Sequence, residues 1–121
     1  MGQTQIIGAA GEQEAERWLA RHDFEIVARN WRDGRYELDI VALKNGRIHF
    51  IEVKTRADIG WESPEDALTA AKIRSFRRAA EAWIAQNDCD LESQMDLIAV
   101  DTDAGGVADV RYIAEAVIPR W

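Results

Sequence analysis

The dipeptide Asn45-Gly46 restricts the fold of this chain more than any other feature. It separates YELDIVALK from RIHFIEVKTR, two apolar-rich runs, and Asn-Gly between such runs specifies a two-residue type I′ turn because both positions need φ > 0. With those residues at the tip, Lys44 faces Arg47, Asp39 faces Glu52 and Glu37 faces Lys54. Side chains alternate along a strand, so these last four share one face with Val41, Leu43, Ile48 and Phe50 nearer the turn. Carboxylates set directly opposite, at Cβ separations of about 4.5–5.5 Å, repel unless a cation, a shared proton or Lys54 neutralises them. A magnesium-type ion suits the arrangement, since it prefers hard oxygen ligands and takes one or two carboxylates plus water and phosphate. Such an ion assists phosphodiester cleavage, with a nearby lysine stabilising the charge that develops. The competing reading is a surface ion-pair ladder, which the four apolar neighbours argue against. A one-residue slip in register would dissolve the cluster.

The rest of the chain supplies partners for that hairpin. Residues 8–22 read as a helix with Ala15, Trp18, Leu19 and His22 on one face and Glu12 one turn before them. Residues 24–31 read as a strand, followed by the turn Arg32-Asp33-Gly34-Arg35. ADIGWESPED reads as a loop, with Ser63-Pro64 or Thr69 as helix starts. A helix is predicted over residues 69–86, its apolar face Ile73, Phe76, Ala80, Trp83 and Ile84. Strands at QMDLIAVD and VADVRYIAE flank the turn Asp103-Ala104-Gly105-Gly106. The order α-β-β-β-α-β-β predicts an α/β fold, a mixed β-sheet flanked by helices, and 121 residues suffice for one domain spanning 1–121.

Composition narrows the chemistry. Cys89 is the sole cysteine, so an intrachain disulfide and a cysteine-cluster zinc site are both excluded. No run approaches the roughly 18 apolar residues of a membrane span, and MGQTQIIGAAGEQEAE lacks the pattern of a signal peptide, so the expectation is a cytoplasmic protein with no membrane partner. A net charge of −7 opposes nucleic-acid binding. Mapping the charge weakens that objection: residues 79–110 hold eight acids and no Lys or Arg, and the remainder carries 15 bases against 14 acids. An acidic flank can thus coexist with a basic face, although an ordinary solvated acidic surface explains the same counts.

Taken together, Gly11-Glu12, Ala28-Arg29-Asn30-Trp31-Arg32, Glu37-Leu38-Asp39-Ile40-Val41, Phe50-Ile51-Glu52-Val53-Lys54-Thr55-Arg56 and the Lys72 helix resemble the YraN family of nuclease-like proteins. That family is similar to archaeal Holliday-junction resolvases and to the PD-(D/E)xK nuclease superfamily. The resemblance runs over about residues 8–118 and lies in order and spacing rather than in any single motif. It implies a restriction-endonuclease-like core in which Asp39 and Glu52 ligate Mg2+ or Mn2+, with the backbone carbonyl of Val53 as a further ligand. Lys54 would stabilise the attacking hydroxide or the transition-state phosphate, and Glu12 would contact water at the metal. On the residues alone, Glu12 reads equally as a carboxylate favoured by the helix dipole. Glu37 is either a second metal ligand or an ion-pair partner of Lys54. Tyr36 stands where the family usually has glycine, which narrows the expected approach to the site.

Arg29, Arg32, Arg35, Arg56 and Lys72 are candidates for gripping phosphates, and singly each also reads as a solvated charge. Trp18 and Trp83 read as core, while Trp31 and especially Trp61 are candidates for stacking on bases. His49, on the opposite hairpin face beside Ile51 and Val53, reads as structural. The function expected is a metal-dependent endonuclease acting on structured or branched DNA, a homodimer if it cuts junctions symmetrically. Two rivals are a nucleic-acid-binding scaffold with little cleavage and a hydrolase of small phosphorylated compounds.

Overall fold

The computed structural model describes residues 2–57, 68–103 and 105–117, with side chains described from Ala10 onward except at 56, 57 and 108. The elements are α1 (Gly2–Arg21), β1 (Glu25–Asp33), β2 (Tyr36–Lys44), β3 (Arg47–Ala57), α2 (Ala70–Gln86), β4 (Glu92–Asp103) and β5 (Gly106–Val117). This is the α-β-β-β-α-β-β order expected. Asn45 and Gly46 have φ of 53° and 73°, as a type I′ turn requires. The register that follows runs from Lys44↔Arg47 to Ile40↔Ile51. A second tight turn at Gly34 (φ 60°) joins β1 to β2, pairing Asp33 with Tyr36.

The sheet is mixed, in the order β1-β2-β3-β4-β5. Only β3 and β4 run parallel, from Arg47↔Glu92 to Ala57↔Thr102. A parallel pair needs a long crossover, and α2 lies in the connection. β4 is buried without interruption from Gln94 to Val100, since both sheet faces are covered over it. On one face α1 packs Ala15 and Leu19 against Phe24, Ile40, Ala42, Ile51, Ile98 and Val100. On the other, Phe76, Ala79, Ala80 and Trp83 of α2 pack against Val41, Ile48, Phe50 and Met95. Fully burying a side chain such as Phe50 contributes about 1.5–3 kcal/mol, so these two layers hold the sheet.

Two local results bear on the site. Helix α1 begins at Gly2, earlier than residue 8, since nothing in QTQII breaks a helix. Thr69 caps α2, its Oγ1 accepting the Lys72 N–H at 3.2 Å, so Lys72 sits in the first turn. The anticipated loop with Trp61 and Ser63-Pro64 lies outside the described residues. Among the described residues no helix is long and apolar enough to cross a membrane.

Candidate active site

The β2–β3 ladder stops at Ile40↔Ile51, although β3 goes on pairing with β4. At that point Asp39 takes over the role of a backbone acceptor: its Oδ2 receives the Val53 N–H at 2.8 Å. The pleat is disturbed as well, for Leu38 and Val41 both lie in the α2-side cluster while Ile40 lies on the α1 side. Asp39 and Glu52 are therefore not a ladder pair, as simple extrapolation from the turn expects; they flank an opening between two diverging strands. Their side chains nonetheless lie close enough for each to perturb the other, and carboxylates so placed need a cation, a shared proton or Lys54 to relieve their repulsion.

Burial is the main cause that raises the Glu52 carboxyl to about 7, followed by the charge of Asp39, against the smaller opposing pull of Lys72 and Lys54. Asp39 is raised by the same burial, in part offset by the Val53 N–H and by its contact with Glu52. Glu12 is also raised, by burial and then by Asp39, which brings the α1 carboxylate into the same field. Gly11 explains how α1 comes so near. A Cβ at this position would lie 1.9 Å from Thr55 Oγ1, so only glycine lets the helix rest on β3 beside Lys54.

Lys72 belongs to this cluster more closely than a phosphate-gripping role implies. Contact with its amine is the largest cause holding Lys54 below the usual lysine range, ahead of burial and of Lys72's charge. A lysine in the first turn of a helix opposes the helix dipole, so its position has no local stabilising reason; its partners are Lys54 and Glu52. The groove in front of the carboxylates encloses about 290 Å³ and is lined also by Arg35, Glu37, Lys72, Ser75 and Phe76.

The other candidates divide. Arg29 is bound to Glu16 at 2.9 Å, away from the groove. Arg32 lies 3.6 Å from Glu37, so Glu37 pairs with Arg32 and not, as the extrapolated register suggests, with Lys54. The Arg56 side chain is outside the described residues. Trp31 packs against the α2-side cluster and Trp83 is buried in it. His49 is buried on the α1 side, bonded through Nδ1 to Asp96 Oδ2 at 2.8 Å.

Among the described residues no three Asp, Glu, His or Cys side chains gather into a ready metal cage. The donors at the opening are two carboxylates and strand backbone, an all-oxygen set held with insufficient compensating charge. That set fits a hard divalent ion that keeps several waters or phosphate oxygens as ligands, and it does not fit a four-ligand structural site. Sequence reasoning missed the Lys54–Lys72 contact and the need for Gly11, since both arise between segments distant in the chain.

A family model described as "Uncharacterised protein family UPF0102" matches residues 11–100. A UPF0102 protein of Bacteroides fragilis is 42% identical over 119 residues, covering 98% of each chain. One from Beutenbergia cavernae is 40% identical over 108 residues, covering 88% of this chain and 92% of its own. Another, from Oleidesulfovibrio alaskensis, is 50% identical over 98 residues, which is 80% of this chain and 48% of that longer protein.

Proposed function

The chain belongs to the UPF0102 family, and on that premise we propose that it is a divalent-metal-dependent endonuclease hydrolysing DNA phosphodiesters, with structured or branched DNA as its substrate class. The observation that carries the reading is the opening between β2 and β3, where Asp39 and Glu52 share a partly buried, under-neutralised site with two lysines in contact. Asp39 and Glu52, with the Val53 carbonyl, would hold Mg2+ or Mn2+. When bound, the ion supplies charge neutralisation at the scissile phosphate and lowers the pKa of the attacking water.

The chain's own groups do the rest. Asp39 is pre-oriented by the Val53 N–H, so its carboxylate needs no reorganisation on binding. Glu12 approaches the site from α1, where burial and the charge of Asp39 raise its carboxyl, and it would orient water there. Lys54 and Lys72 repel each other until a phosphate lies between them, which directs their binding energy to an anion in the groove. The α2 N-terminus adds its partial positive charge at the same place, and Arg35 steadies a flanking phosphate. The protein would work in the cytoplasm, as a two-fold dimer where cuts are symmetric.

A second reading, a nucleic-acid-binding scaffold that cleaves little, is favoured by the net charge of −7 and by Arg29 and Arg32 each being paired with a glutamate. Titrating Mn2+ into wild type and Asp39→Ala/Glu52→Ala, then assaying labelled junction, flap, single-stranded and linear DNA, separates the two. Metal binding and cleavage that vanish together in the variant support the nuclease. Binding without cleavage of any substrate favours the scaffold, and no metal binding by wild type even with DNA present overturns the proposal.

A further inference from the structure

A cavity larger than the groove lies at the opposite end of the hairpin and on the α1 side of the sheet. It encloses about 550 Å³ between α1, the hairpin tip and β5, within the size range of small-ligand sites. Lys44 at its mouth is five residues along β2 from Asp39, some ~17 Å at the rise of a strand, so cavity and groove cannot hold the same nucleotide.

Its wall is a stack of rings. Trp18 stacks with His22 at 3.7 Å and with Tyr112 at 4.9 Å, Phe24 closes the side, and all four rings line the cavity. Its floor is a polar network. Buried Asp96 accepts from Gln94 Nε2 (2.9 Å), the Glu115 N–H (2.8 Å) and the Tyr112 hydroxyl (2.6 Å), and it bonds His49 Nδ1 at 2.8 Å. With Nδ1 committed to a carboxylate, His49 keeps Nε2 as its remaining hydrogen-bonding atom. That atom makes no hydrogen bond among the described residues, and His49, although only 6% exposed, lines the cavity.

Two basic side chains, Lys44 and Arg47, stand at the mouth. Arg47 is held by Gln94 Oε1 and Glu92 Oε2, both at 2.9 Å, while Lys44 Nζ sits 4.8 Å over the Phe24 ring with no carboxylate partner among the described residues. Among the described residues that line the cavity none is Asp or Glu; Asp96 lies behind His49 and Tyr112, and Glu92 is the carboxylate on Arg47.

We propose that this cavity is a second nucleotide site, which takes one unpaired nucleotide with its base against the Trp18 column, its base edge on His49, and its phosphate on Lys44 and Arg47. The three chemistries required, a π-face, a ring nitrogen of His49 and a cation with no carboxylate partner among the described residues, match the three parts of a nucleotide and occur here in one space. The inference deepens the nuclease reading but does not need cleavage. The nucleotide comes either free or as a single-stranded position of a longer DNA.

Nitrogen-edited NMR of the full chain, with Trp18 indole and Arg47 Nε signals as reporters, tests it. The probes are dTMP, dAMP, thymidine, inorganic phosphate and a short oligo-dT, each added to wild type, Asp39→Asn, Lys44→Glu and His22→Ala. The expected result is saturable shifts of both reporters with a monophosphate or the oligonucleotide, unchanged in Asp39→Asn. Binding should weaken roughly tenfold or more in Lys44→Glu and several-fold in His22→Ala. His22 is exposed and Lys44 half-buried, and the dispersion of the remaining amide signals in each variant checks that its fold is retained. Saturation by the oligonucleotide alone assigns the site to a DNA strand, and saturation by monophosphates alone assigns it to free nucleotides. Equal binding of thymidine or phosphate, shifts confined to groove residues, or no shift with any probe overturns the proposal. Failure of cleavage with these shifts intact would instead count against the nuclease reading only.

Discussion

The substitution Glu52→Gln tests the charge logic of the site through stability, independently of activity. Folding raises this carboxyl from 4.5 to about 7. A group that binds its proton more tightly when folded contributes stability that is fully present below about 4.5 and is lost as pH rises through about 7. The full difference corresponds to about 3 kcal/mol, and Asp39, raised by the same burial, acts in the same direction. Without metal, wild type should therefore lose about 2–3 kcal/mol between about pH 5 and pH 8 through this site. The glutamine amide cannot ionise. Its Nε2–H can still donate to Asp39, so the variant should match or fall slightly below wild type at about pH 5 and become the more stable protein at about pH 8. Urea unfolding at both pH values in chelator measures the crossing, and adding Mn2+ at a hundredfold over its dissociation constant should restore about 2.7 kcal/mol to wild type at the higher pH and much less to the variant. The reasoning is refuted if both proteins respond alike to pH, or if Mn2+ stabilises them equally.

Three further outcomes follow from the same geometry. Gly11→Ala places a methyl group 1.9 Å from Thr55 Oγ1 and should cost about 1–3 kcal/mol in urea unfolding, part of which Thr55→Ala in the same chain recovers. Lys54→Ala should lower cleavage about 10²–10³-fold while leaving Mn2+ titration intact, and loss of metal binding as well would show that the lysine is structural. Asp96 has its pKa lowered because, against the opposing effect of burial, its hydrogen bonds from His49, Tyr112, Glu115 and Gln94 favour the charged form. Its contribution is present above the ordinary carboxylate range and lost as pH falls through its folded value. Asp96→Ala should cost about 3–5 kcal/mol near neutral pH and flatten the acid limb of the stability profile, which denaturation at several pH values will measure.

Much of the fold was legible because its signals are local. Asn-Gly can be read as a turn without knowing what lies around it, and the three- and four-residue spacing of Ala15, Trp18 and Leu19 identifies a buried helix face by itself. The order of elements and the register from Lys44↔Arg47 to Ile40↔Ile51 followed from such signals. The register could not tell where the ladder ends. That depends on Val53, whose N–H is taken by the Asp39 side chain instead of a β2 carbonyl.

The sequence by itself determined the elements, their order, the turn and the two carboxylates that the hairpin carries, since propensity, alternation and φ preferences act within a few residues. Tertiary structure decided what surrounds those carboxylates. Lys72 meets Lys54 from across the α2 crossover, Gly11 admits α1 against β3, Arg32 captures Glu37, and rings from α1 and β5 stack into the wall of a second cavity. All but the Arg32–Glu37 pair, which spans the turn at Gly34, join segments remote in the chain, and no local preference encodes which distant side chain burial will bring within a few ångströms.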